Sequence, residues 1–183
     1  MSDSFIIEQC APTLAGIKTG SLFTSPYENR EAVVRRIRDI NRQLVPKGLC
    51  MIPLRYSEKR VLLYLYRPEK LRQDLCNVHA AGILRGAGYD SENSERCIMR
   101  LIERLGGGGE FPHEIGLFLS YPPEDVEGFV KNKASGFKCF GAWKVYGDEE
   151  KAKETFSKYK KCTNIYCRLC EAGLGIGQLA AAV

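Results

Sequence analysis

The sequence predicts an α+β fold: one domain in which a small sheet of about four strands, mainly antiparallel or mixed, packs with helices and is followed by a long C-terminal helix. Three patterns carry that expectation. Two β-branched and aromatic runs, LCMIPLRY and RVLLYLYR, flank the polar tripeptide SEK and read as an antiparallel hairpin over residues 49–56 and 61–67. Apolar residues at 3-and-4 spacing precede and follow that hairpin, as amphipathic helices require. Two later apolar runs, HEIGLFLSY and CFGAWKVYG, supply further strands near 114–120 and 139–146.

In chain order, the first strong helix signal opens at SPYE, where Ser25 can cap, Pro26 suits the first helical position and Glu28 completes a capping box. Val33, Ile37, Ile40 and Leu44 then recur at helical spacing until VPKG ends the helix. In the hairpin, the second run is apolar at consecutive positions and belongs at the centre of the sheet, covered on both faces. Pro53 lacks a backbone donor, which puts the first run at an edge or a bulge. A helix follows through RPEKLRQDLCNVHAAGILRGAGY, with Leu71, Leu75 and Val78 in register and His79 as a half-buried packing residue. SENSERCIMRLIERL sets Ile98, Leu101, Ile102 and Leu105 on one face until the glycines at 106–109, the one soft joint in the chain. Glu124 and Asp125 fall in the first turn of a short helix after Pro122 and Pro123, where the helix dipole favours negative charge. Asp148 caps the long final helix, which carries Ala152, Phe156, Tyr159, Thr163, Tyr166 and Cys170 at helical spacing. Residues 172–183 read as a frayed tail: GLGIGQ has the glycines of a phosphate loop but follows a helix and lacks its Lys-Ser/Thr.

The 183 residues are 44% hydrophobic and 27% charged, which excludes a disordered chain. No apolar run is long enough to cross a bilayer, and the N-terminus lacks a basic start followed by an apolar stretch, so the expected location is the cytoplasm. The net charge of +5 permits anionic partners without demanding one. Eight cysteines at irregular spacings are expected to be reduced thiols, with Cys50, Cys76, Cys97 and Cys139 as small buried hydrophobes.

Five stretches together, CAPTLAGIKTGSLF, VLLYLYRPEKLRQDL, EFPHEIGLFLSYPPEDVEGFV, GAWKVYGD and YKKCTNIYCRL, resemble a bacterial domain of unknown function numbered 3793, associated with anaerobic Gram-positive bacteria. The resemblance covers almost the whole chain and implies a single domain over residues 1–183. It brings no catalytic residues with it. It implies glycine where this chain has Ser120, and the ending CEAGLGIGQLAAAV is atypical of it.

Three constellations are candidates for chemistry. Cys10 precedes Ala-Pro and what reads as a short helix, a place where backbone amides favour a thiolate; with His113 folded against it, the pair would form a nucleophile and base. Glu114 cannot orient His113 if both lie in a strand, because neighbours there point to opposite faces. The alternative is a capping histidine and a core cysteine. Tyr121, Lys144 and Tyr146, with Trp143 beside them, are candidates for a ligand pocket at the ends of the late strands, where a lysine among aromatics can hold a carboxylate or phosphate. Cys162, Cys167 and Cys170 have part of the spacing of a ferredoxin cluster, with Cys139 as a fourth ligand. On a continuous helix, however, Cys162 and Cys170 stand about 12 Å apart along the axis.

The function that these residues suggest is binding of a small molecule or cofactor, with a thiol and imidazole site. The alternatives are an interaction module whose basic helix (Arg35, Arg36, Arg38) docks an acidic protein or nucleic acid, and an iron–sulfur or metal-binding redox accessory protein. For nucleic acid the net charge is small and no aromatic platform is interleaved with that helix.

Overall fold

The computed structural model describes residues 1–182 of the chain. In order, the elements are α1 (Asp3–Leu14), β1 (Gly20–Pro26), α2 (Arg30–Leu44), β2 (Cys50–Tyr56), β3 (Arg60–Tyr66), α3 (Pro68–Leu75), α4 (Val78–Gly86), α5 (Ser94–Gly106), α6 (Ile115–Phe118), α7 (Pro123–Lys131), β4 (Cys139–Phe140), β5 (Lys144–Val145), α8 (Glu149–Glu171) and α9 (Ile176–Leu179). This is the expected α+β content, with the long helix at its C-terminal side. The chain groups into two compact units, Met1–Glu69 with Tyr159–Val183, and Lys70–Lys158.

In the first unit the sheet has the order β1-β3-β2 and is antiparallel throughout. Residues Val61 to Leu65 of the central β3 are all buried, as consecutive apolar residues require of a strand covered on both faces. β2 is an edge strand whose register slips between Pro53 and Arg55, so the proline sits at a bulge and its missing N–H costs little. Phe23, Met51, Leu63 and Leu65 form a core with Ile6 and Ile7 of α1, Ile40 and Leu44 of α2, and Ile176 and Leu179 of α9. Arg67, only 2% exposed, donates to the carbonyls of Thr13, Leu14 and Ala181 at 2.8–2.9 Å, satisfying the end of α1 and fastening the last residues of the chain.

Five expectations are corrected. Ser25 and Pro26 do not cap a helix. They end β1, which pairs along its whole length with β3, and α2 is capped instead by Asn29, whose side chain accepts from Glu31 N at 2.7 Å. The single helix expected through RPEKLRQDLCNVHAAGILRGAGY is two helices, α3 and α4, split where Asn77 accepts from the amides of His79 and Ala80. Residues 115–118 form the single turn α6 and not a strand, since a short, fully buried apolar run fits either state and no strand lies beside it to pair with. The strand near 139–146 is a two-stranded ribbon, β4 with β5. Lastly, the expected frayed tail over 172–183 contains a core element, α9: Ile176, Leu179 and Ala180 are buried, while residue 183 lies outside the described residues.

The second unit is mainly helical. Leu84, Leu101, Phe118 and Val126 are buried in it, and α4 packs against α7. Glu114, 5% exposed, accepts from Tyr89 Oη at 2.6 Å and pairs with Arg104 at 2.7 Å, fixing the start of α6 to α5.

Candidate functional site

In the second unit, the segment leading into α6, helix α7 and the β4–β5 ribbon line an open-sided cavity of about 390 Å³. Its walls are apolar and aromatic, among them Ile115, Val126, Phe129, Phe140 and Trp143, and its polar side chains include His113, Tyr121 and Lys144. A concave, mostly apolar space with a few convergent polar groups is the usual form of a small-molecule site.

The sequence positions these walls by close approaches and one buried carboxylate. A Cβ on Gly116 would lie 2.8 Å from Val126 Cγ2 and 2.9 Å from Tyr121 Cδ2, so only glycine lets α6 come this near to α7. Tyr146 packs its ring against Gly128 of α7 in the same way. Asp125, 3% exposed, accepts from Trp143 Nε1 at 2.6 Å and from the amides of Tyr146 and Gly147 at 2.7 Å. With all these N–H donors, and from the first turn of α7, this carboxylate ties the helix to the ribbon and presents the Trp143 ring to the cavity. Trp143 stands 4.9 Å from the Tyr121 ring and 4.6 Å from that of Phe156. The sequence assigned Asp125 only a dipole role; its bond to Trp143 depends on tertiary approach.

Lys144 donates to the carbonyl of Ala134 at 2.8 Å and holds its ammonium 4.6 Å from the centre of Phe137 and 5.9 Å from that of Phe129. His113 lies between Phe111 and Phe129, with ring centres 5.6 and 4.9 Å away. Burial raises the pKa of Tyr121, which keeps it a neutral phenol. Tyr121 and Lys144 therefore line one cavity, together with His113 from a different candidate set. Tyr146 directly follows β5 and packs on α7, with a buried hydroxyl that lacks a hydrogen-bond partner among the described residues. Phe129 and Phe140 were missed. Their signal was the interleaving of aromatics with lysines over residues 128–147, a stretch that holds Lys131, Lys133, Lys138 and Lys144 and no Asp or Glu.

Cys10 belongs to the first unit and His113 to the second. Because α1 runs from Asp3, Cys10 sits near its C-terminal end and not at its start, fully buried, and desolvation pushes its thiol strongly upward. α8 is continuous through Cys162, Cys167 and Cys170, while Cys139 is on β4. Among the described residues no three His, Cys, Asp or Glu side chains are grouped to hold a metal ion. On the basic helix α2, Arg36 pairs with Asp3, while Arg35 pairs with Glu31. No helix among the described residues is long and apolar enough to cross a membrane.

The family model for a protein of unknown function (DUF3793) matches residues 6–180. The chain belongs to this family. No curated protein and no solved structure matches it. In this DUF3793 protein the motifs FPHEIG, YPPEDV and GAWKVYGD all contribute to one unit and to one cavity: His113 and Gly116 from the first, Tyr121 and Asp125 from the second, Trp143 and Lys144 from the third. Ser120 has φ 61°, in the left-handed region where glycine is least strained, which gives a physical reason for the glycine implied at that position.

Proposed function

We propose that this DUF3793 protein binds a small molecule or cofactor in the aromatic cavity of its second unit. The observation that carries this reading is the convergence of His113, Tyr121 and Lys144 on a cavity whose other walls are apolar. Eight unpaired thiols fit a reducing compartment, the cytoplasm. The only tryptophan, Trp143, lines the cavity, so its emission should respond to an occupant. A neutral apolar dye, N-phenyl-1-naphthylamine, is expected to quench it saturably with one site per chain. Phe140 is 75% exposed, so Phe140→Ala should leave folding intact while weakening the dye several-fold. Lys151 lines a neighbouring cavity of about 460 Å³ that shares Tyr121, Asp125 and Trp143 with this one but not Phe140; it serves as the control, and Lys151→Ala should change nothing. Native mass spectrometry of freshly purified, oxygen-protected protein would report a resident ligand. A dye that leaves Trp143 unmoved, or whose affinity is the same in Phe140→Ala, would count against the cavity as a binding site.

A further inference from the structure

Resting on the small-molecule reading, we propose that the cavity selects a flat, mostly apolar molecule bearing one anionic group, with Lys144 as the group that recognises the anion. Two carriers of formal charge line the space besides the titratable His113: Lys144 and Asp125. They are not equivalent. Asp125 is buried and its oxygens are taken up by Trp143 Nε1 and two backbone amides, so it has little capacity left for a cationic ligand. Lys144 is only partly buried, has no carboxylate partner among the described residues, and gives one bond, to the Ala134 carbonyl, out of the three its ammonium can donate. Its charge is held in place at the edge of the aromatic walls by the rings of Phe129 and Phe137.

The surrounding chain biases the field in the same direction. Residues 128–147 contain four lysines and no acidic residue, and of these Lys131 is neutralised by Glu127, while Lys133 and Lys138 are exposed without a carboxylate partner among the described residues. An anion entering the cavity thus meets the Lys144 ammonium, with the exposed Lys133 and Lys138 on the same stretch of chain, whereas an apolar ring system meets Phe129, Phe140, Trp143 and Tyr121. A cation would have to displace or repel Lys144 to reach the same rings.

Two dyes with the same skeleton separate the contributions: 8-anilinonaphthalene-1-sulfonate carries an anion, and N-phenyl-1-naphthylamine does not. In Lys144→Met the Kd of the anionic dye should rise about tenfold, while that of the neutral dye stays within twofold, which also certifies that the variant is folded. Lys144→Arg should restore anionic binding. In the wild-type protein, raising KCl from 50 to 500 mM should weaken the sulfonate and spare the neutral dye. If both dyes change together in Lys144→Met, or neither does, Lys144 does not read an anion and the proposal is overturned, with the cavity still a binding site. If neither dye perturbs Trp143 in any variant, the small-molecule reading fails and this inference with it.

Discussion

Lys18 follows the end of α1, mostly buried, with its ammonium 5.7 Å from the centre of the Tyr159 ring. Desolvation lowers its pKa to about 8, and the nearby Cys10 acts weakly in the opposite direction. The two side chains show what residue types alone could not reveal. Cys10 attracted attention as a thiol near a proline, yet helix α1 starts eight residues earlier than the CAPTL motif suggests, because Ser2 caps it. The thiol therefore lies in the C-terminal half of the helix, away from the amides that favour a thiolate and inside the core. Lys18 has a consequence that can be measured. Below pH 8 the lysine is charged in both states and the fold bears the cost of burying it; between about 8 and 10.5 the unfolded chain holds a proton that the folded one has released, so stability increases with pH. In the same range the thiols of the unfolded chain ionise while burial holds those of Cys10, Cys50 and Cys97 protonated in the fold, which pulls stability the other way. The expected result is therefore a difference: between about pH 7.5 and 9 the urea midpoint of the wild type gains on that of Lys18→Met. A difference between the two proteins that stays constant with pH would mean that Lys18 keeps its hydration in the folded protein.

Between elements, the hairpin was legible because its signals are local: two runs of β-branched and aromatic residues, a polar turn and a proline that admits only an edge or a bulge. β1 was not, since Ser25 and Pro26 make a better local case for a helix start, and only pairing with β3 overrides it. α6 was lost for the same reason in reverse, as an apolar run with no strand beside it becomes a buried turn. The tie between α7 and β5 is similarly invisible from spacing, because Asp125 and its donors are about 20 residues apart in sequence and meet only in the fold. Its energy is concentrated in one side chain. Asp125→Ala would leave an indole N–H and two amides buried without acceptors, and the expected cost is about 3–4 kcal/mol, against about 1–3 for Asp125→Asn, which keeps one oxygen. Urea unfolding followed by the emission of Trp143, the residue Asp125 holds, reads both. A loss under about 1 kcal/mol for the alanine variant would mean that water replaces the carboxylate and that the strap is dispensable.

Across the whole molecule, the two ends of the chain close the first unit. The amide of Ile176 donates to Asp3 Oδ2 at 3.3 Å, that of Ala181 donates to the Leu14 carbonyl at 3.0 Å, and Arg67 binds both ends through Leu14 and Ala181. Nothing in GLGIGQLAAAV announces this, because a four-residue helix has too few apolar positions for periodicity and its glycines resemble a loose tail; long-range burial alone makes it structure. What was readable at this scale was the fold class and the membership of DUF3793, which need only the local patterns and their order. Deleting residues 174–183 tests the role of the end. The deletion removes Ile176 and Leu179 from the core, worth about 1.5–3 kcal/mol each, and takes from Arg67 one of its acceptors. That sum is a large share of the roughly 5–15 kcal/mol of a typical domain. Hydrogen exchange should therefore show the amides of α1 and of β1 to β3 losing protection by several orders of magnitude in the truncated chain, while those of α7 and β5, which belong to the other unit, keep theirs. Protection that falls evenly across both units would instead place α9 in a cooperative structure larger than the first unit, and unchanged protection in β1 to β3 would show that its buried side chains contribute no stability to the core they occupy.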